Sequence, residues 1–422
     1  MIEVSEHVYN DNPGQGPYDV RTRLKDVSYF FPGNGFIQAA VQFAPSGERT
    51  PLALLIQDPE RLGMKRDALT FDPETGLAAT TIRLTSPGCD THEQMIGLST
   101  RWSPDRDFPV VEATWETAGR GLAVRERFYC PDRSQPRLVR EVHIKNLQTQ
   151  PAPVVCETAA REATITRSIF LEAGEEQRFC LIYTFDKASN AVALNVTEQA
   201  PSAEESRCYW RGAATVAFGL PVLDRFFTAS GRQLAAMVSC GGKVDASIWQ
   251  YRREWVRDHA AMATGLVLSG HHRTAGVVLA RLVDEFVTDE GDTIDSSKRR
   301  NADEVELDQN GTLLQAFETY ANWTGDWDLI ASRWSKITAL AEYPLRGGRL
   351  DLEITRRGTG DALAVREASV PVLARQDGEI HLAYGTAGST INVSLEAGPR
   401  NGSMGGPEPE SSGSGPTKRS TR

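Results

Sequence analysis

Short runs of alternating or β-branched residues recur through the first half of the chain, separated by Pro, Gly, Asn and Asp. Phe36–Phe43, Leu77–Leu84, Val110–Trp115, Leu122–Tyr129, Ala163–Leu171 and Phe179–Phe185 each read as a strand. In Leu138–Ile144 a period of two sets Leu138, Val142 and Ile144 on one face, with Glu141 and His143 on the other. Many such strands joined by turn residues predict a large antiparallel sandwich over residues 1–215.

Near residue 216 the period changes from two to that of a helix. Leu223–Val238 predicts a linker helix within 216–245, with Phe226, Phe227, Leu234, Met237 and Val238 as apolar positions and Gly241-Gly242 as its stop. A second helix is predicted over Val256–Ser269, stopped by Gly270. A third covers Arg273–Thr288, where Ala275, Leu279, Leu282 and Phe286 form one stripe. The polar stretch Asp289–Asp303 then leads to a helix over Thr312–Asn322, with Leu313, Ala316, Phe317 and Tyr320 on one face. The last helix starts at Asp326-Trp327-Asp328, whose acids suit a helix N-terminus. It turns Ile330, Trp334, Ile337 and Ala341 inward and ends before Pro344. Paired helices punctuated by glycine predict the opening part, over 246–345, of a toroid of helix hairpins. Five helices are too few to close such a ring. Helical periodicity is lost from Arg346 onward, so 346–397 reads as irregular and the Gly/Ser/Pro/Glu-rich 398–422 as disordered. The expected architecture is multidomain, β followed by α.

At 422 residues the chain has room for several domains and an ample core. Its formal charge is −10 and no Lys/Arg run exceeds three residues, which argues against nucleic acid or an anionic membrane as partner. A neutral partner such as a sugar is compatible with that charge. Met1–His7 has neither a basic start nor an apolar core, so no secretory leader is expected. No stretch approaches the roughly 18 apolar residues that span a bilayer. Cys89, Cys130, Cys156, Cys180, Cys208 and Cys240 are scattered, with no CxxC or Cys/His cluster, and read as reduced, mostly buried thiols. The adjacent His271 and His272 would diverge rather than share a metal. The expectation is a cytoplasmic protein without metal or organic cofactor, of undetermined oligomeric state.

Three segments could carry chemistry. Ile248–Ala260 packs Trp249, Tyr251 and Trp255 beside Arg257 and Asp258, just ahead of a helix. Aromatic faces stack on sugar rings, while Arg and Asp offer a charged donor and acceptor to neighbouring hydroxyls. The same residues would also serve as a helix start with a surface ion pair and core tryptophans. Glu304–Gly311, containing Glu306 and Asp308, could hold a general acid or base, or simply a solvated first turn. Asn322–Trp327 reads as a structural turn with Asp326 as N-cap.

Taken in order, these segments resemble glycoside hydrolase family 15, the glucoamylase and bacterial trehalase-like group. Trp255-Val256-Arg257-Asp258 matches that family's Trp-x-Arg-Asp motif, and Glu306-Leu307-Asp308-Gln309-Asn310-Gly311 its Gln-Leu-Asp-x-x-Gly motif, with Glu in place of Gln. Thr324-Gly325-Asp326 matches a later turn, and Phe31–Gly35 is like the Gly-Asn-Gly turn of related sandwiches. The likeness covers residues 25–345. It implies an N-terminal super-sandwich, an (α/α)6 barrel and inverting hydrolysis of α-glucosidic bonds in oligosaccharides. It also implies that Arg257 and Asp258 hold the terminal sugar, with Trp255, Trp249 and Asp308 around it. Inversion needs two carboxyl groups roughly 6.5–9.5 Å apart. The family takes both from later parts of the barrel, whereas Glu353, Glu367 and Glu379 here lack an aromatic, helical setting, so the catalytic pair is unassigned. A shift of reading frame or truncation near residue 346 would explain the break, as would a divergent C-terminal region with its own fold. A disaccharide phosphorylase of similar architecture and a non-catalytic carbohydrate-binding protein remain the alternatives.

Overall fold

A computed structural model describes residues 28–44, 52–60, 78–88, 91–103, 107–119, 121–160, 163–189, 191–244, 254–294, 307–346, 363–368, 372–376, 379–382 and 393–397. The chain forms two compact units, Met1–Tyr343 and Pro344–Arg422.

The first unit opens with antiparallel sheets. One orders as β1 (Ser28–Phe30), β2 (Gln38–Phe43), β3 (Leu52–Gln57) and β4 (Ala78–Ala79). A second contains β5 (Arg83–Thr85), β10 (Ala152–Ala160) and β11 (Ala163–Leu171), with β10 in the middle. The largest runs β13-β12-β9-β8-β7-β6 and comprises Met95–Trp102 (β6), Val111–Thr117 (β7), Leu122–Tyr129 (β8), Arg137–Asn146 (β9), Glu176–Asp186 (β12) and Ala191–Thr197 (β13). One apolar core joins Val41, Leu54 and Ile56 of the first sheet and Leu84 and Val154 of the second to Val124, Leu138, Val142 and Leu181 of the third. These inward residues sit on every second position of their strands, as the pleat requires.

The strand expected over Leu77–Leu84 is instead two short ones, β4 and β5. Between them Thr80 turns its carbonyl and hydroxyl to Arg140, whose Nη1 donates to both at 2.6 and 2.9 Å. Arg140 lies on the apolar face of β9 and is fully buried, with its Nε donating to Glu126 Oε2 at 2.6 Å. Trp115 Nε1 donates to the other carboxylate oxygen at 2.8 Å. The alternation of β9 is present, but a charged network occupies one of its core positions.

The helices pack on the opposite face of the six-stranded sheet. A second apolar core runs from Val110, Tyr129 and Val139 into α1 (Glu204–Trp210), α2 (Pro221–Ala236), α3 (Val256–Leu268), α4 (His272–Phe286), α5 (Leu307–Thr324) and α7 (Trp334–Arg346). The predicted stripe of α4 (Ala275, Leu279, Leu282, Phe286) and that of α5 (Leu313, Ala316, Phe317, Tyr320) are all buried.

Three helices depart from the sequence reading, the first being α1, which lies within the stretch 1–215 read as strands. On α2 the expected apolar positions do not all face inward: Phe226 is 71% exposed, and Val222 and Leu223 are exposed beside it. The helix expected from Asp326 onward breaks into α6 (Asp328–Ala331) and α7, the latter passing through Pro344. The Asp326 carboxylate accepts from the backbone N–H of Asp328 and Leu329 and from the Tyr320 hydroxyl at 2.7 Å. That bond to Tyr320 holds the Asp326 carboxyl below its usual range, while desolvation, aided by Asp326, pushes the Tyr320 phenol up to about 12. The break shifts the helical phase, leaving Trp334 and Ala341 exposed while Ile330, Ile337 and Leu340 stay buried. Arg333 grips Asp284 through two bonds, and Lys336 Nζ donates to the Val283, Asp284 and Val287 carbonyls at the end of α4.

The helices repeat as units of helix, loop and helix. The loops Val238–Val244 and Val287–Thr293 match residue for residue. In each the flanking residues form an antiparallel bridge, Val238 with Val244 and Val287 with Thr293. Ser239 N–H donates to the Lys243 carbonyl and its hydroxyl accepts from Lys243 N–H; Thr288 does the same with Asp292. Gly242 and Gly291 hold φ of 83° and 90° and press on the backbone of the next unit's first helix. A methyl on Gly242 would lie 2.7 Å from the Val277 carbonyl oxygen, and one on Gly291 2.0 Å from that of Ala339. No closed ring exists among the described residues.

In the second unit, β14 (Leu363–Ala368) pairs with β17 (Val393–Ala397) and β15 (Val372–Gln376) with β16 (Glu379–Leu382), both antiparallel. Residues read as irregular thus include four strands. The tail 398–422 lies outside the described residues.

Candidate functional site

The repeat brings corresponding residues of neighbouring units together. α3 and α5, the second helices of their units, lie side by side with their N-termini at one end. Arg257 and Asp308 are each the second residue of their helix, and Arg257 Nη1 donates to Asp308 Oδ2 at 2.9 Å. Both side chains are about half exposed, at 53% and 55%. Asp258 follows Arg257, half-buried in the first turn of α3. Trp255 precedes the helix in extended conformation and is half-buried. An acid in the first turn of each helix complements the partial positive charge there.

The fourth residue of each helix is buried and ties it to the loop before it. His259 Nε2 accepts from Val244 N–H at 3.3 Å. Asn310 Nδ2 donates to the Gly291 carbonyl at 3.0 Å and to that of Leu340, in the next unit, at 2.9 Å. Desolvation pushes the His259 imidazolium pKa down to about 3, with the charge of Lys243 acting in the same direction. The imidazole is therefore neutral, as an Nε2 acceptor must be.

A second tier fixes the approach to Trp255. Glu254 is buried and takes two bonds from Arg281 of α4, at 2.6 and 3.0 Å. Arg281 also meets Glu285 at 3.2 Å and lies 4.0 Å from Glu60 of the sandwich, whose carboxylate accepts from Gly241 N–H. The sandwich, the first loop and the start of α3 are thereby held in one polar chain.

Trp255, Arg257, Asp258 and Asp308 therefore share one end of the helical layer, with Asp308 rather than Asp258 as the partner of Arg257. Trp249 and Glu306 lie outside the described residues. Glu254, His259, Arg281 and Asn310 were not singled out in sequence; the loop repeat was the signal that would have found His259 and Asn310. Glu367 and Glu379 lie in β14 and β16, and Glu353 outside the described residues. Among the described residues no group of three or more His, Cys, Asp or Glu is placed to hold a metal. Cys130, Cys156 and Cys180 are buried thiols, whereas Cys208 and Cys240 are exposed. No described helix is long and apolar enough to cross a membrane.

No family model and no curated protein matches the chain. Among solved structures, one of a bacterial glucoamylase complexed with acarbose is similar over 78% of this chain, at 10% identity and a TM-score of 0.41. The match covers 58% of that structure's length.

Proposed function

We propose that the chain is a glucoamylase-like glycoside hydrolase fold that binds the terminal unit of an α-glucoside at the shared N-terminal end of α3 and α5. The observation that carries this reading is the Arg257–Asp308 pair, with Asp258 and Trp255 beside it. A guanidinium carries five N–H donors, so an arginine that bonds a carboxylate can also serve a hydroxyl. Asp258 supplies an acceptor and Trp255 an apolar face. Inverting hydrolysis would need two further carboxyl groups, and none is assigned to that role. Binding is therefore the activity to test first.

Hydrogen-exchange mass spectrometry of the full chain with maltose or trehalose should protect amides at the starts of α3 and α5. Asp258→Ala and Arg257→Ala should abolish that protection. Absence of protection in the parent chain would remove this reading. Sugar release that requires inorganic phosphate would move the assignment to a phosphorylase, and binding without any turnover to a carbohydrate-binding protein.

A further inference from the structure

We propose a second, independent binding site for a neutral sugar unit on the six-stranded sheet, over Ala123. It lies on the face that packs the helices at Tyr129 and Val139, but toward the opposite end of β8 and β9. A cleft of about 400 Å³ opens there, within the range of small-molecule sites. It is a notch made by sequence. Ala123 of β8 is the one small side chain in a row where Glu116 of β7 and Lys145 of β9 are its direct partners. A bulge in β6 between Ile96 and Ser99 widens the same edge. Glu116 and Lys145, about 10 Å apart across two strand spacings, wall the notch on either side of its floor.

The lining chemistry selects the ligand. Arg125 and Lys145 are matched in number by Glu116 and Glu176, so the lining attracts neither anions nor cations. Arg125 already sits 3.6 Å from Glu176, and an ion would have to displace that contact. Glu176 is further fixed by His143 Nδ1 at 2.6 Å. The notch thus offers alternating donors and acceptors, the Thr114 hydroxyl, and the apolar edge of Ile96. A ring carrying hydroxyls, each able both to donate and to accept, with a C–H face for Ile96, satisfies that arrangement. This site does not depend on the one at the helix ends.

The test uses the full chain carrying Asp258→Ala, so that the helical site is disabled. Maltose should protect β7 and β8 amides from exchange, and Ala123→Leu, which fills the notch from an outward sheet position, should weaken that binding at least about tenfold, or ~1.4 kcal/mol. Glu116→Gln, which preserves shape, should weaken it several-fold and serves if the leucine variant misfolds. Glycine and inorganic phosphate should not compete. The proposal fails if maltose leaves β7 and β8 unprotected, if both substitutions leave binding unchanged, or if glycine or phosphate displaces maltose. Protection here with none at α3 and α5 in the parent chain would sink the helical-site reading alone.

Discussion

Replacing Arg140 by Met should be among the most damaging single changes in the sandwich. Arg140 and Glu126 are both completely buried and bonded at 2.6 Å, with Thr80 and Trp115 completing the network. Removing the guanidinium strands the Glu126 carboxylate with only Trp115 as donor in an apolar core. Breaking a buried pair in this way costs about 3–5 kcal/mol. At roughly 2–4 °C per kcal/mol for a unit of this size, the melting point should fall by about 6–20 °C. The double change Arg140→Met/Glu126→Met removes both charges together, and a well-packed apolar substitute for a buried pair is often neutral or stabilising. The double variant should therefore recover most of the loss. Urea unfolding followed by tryptophan fluorescence measures Arg140→Met, Glu126→Met and the double variant, with Trp115 as a local reporter. If Arg140→Met costs under about 1 kcal/mol, or the double variant is as unstable as the two singles added, the network is not the electrostatic unit described.

Other expectations follow from the same physics. His259 has a folded-state pKa depressed to about 3, so it contributes stability above the unfolded value near 6.5 that is lost as pH falls toward 3. His259→Asn, which copies the residue at the corresponding place in the next unit, should flatten the pH dependence of the melting point between pH 6.5 and 4; an unchanged slope would refute the assignment. Gly291→Ala should prevent stable folding, because a methyl there meets the Ala339 carbonyl at 2.0 Å. Gly311→Ala, inside α5 with open space around it, should stabilise by up to about 1 kcal/mol, and thermal melts of the two variants should therefore move in opposite directions. The exposed Val222, Leu223 and Phe226, next to exposed Phe218 and Leu220, should promote self-association, so Phe226→Ser should lower the apparent mass in light scattering at high concentration. Equal masses for parent and variant would show that the strip is inert.

The sequence by itself determined that strands give way to helices, although the first helix, α1, begins at Glu204 rather than near 216. It also determined the buried stripes of α4 and α5 and the residues at the head of α3. Those features are periodic, and burial of one face makes period and structure the same fact. Tertiary structure alone decided which residues meet. Arg257 pairs with Asp308 rather than its neighbour Asp258 because the repeat sets α3 and α5 side by side. Arg140 occupies a core position because Glu126 and Thr80 accept from it out of two other segments, with Trp115 donating in turn to Glu126. The helix expected from Asp326 is interrupted at Ser332-Arg333, where Arg333 bonds Asp284 of α4, while the Asp326 carboxylate only starts its first turn. Loop repetition at about 50 residues is written in the chain as a valine, a hydroxyl and a fifth-place glycine shared by Val238–Val244 and Val287–Thr293, yet only the matched hydrogen bonds give it meaning. Periodicity reports which face is buried; what lies against that face is fixed by parts of the chain too far away for any local pattern to contain.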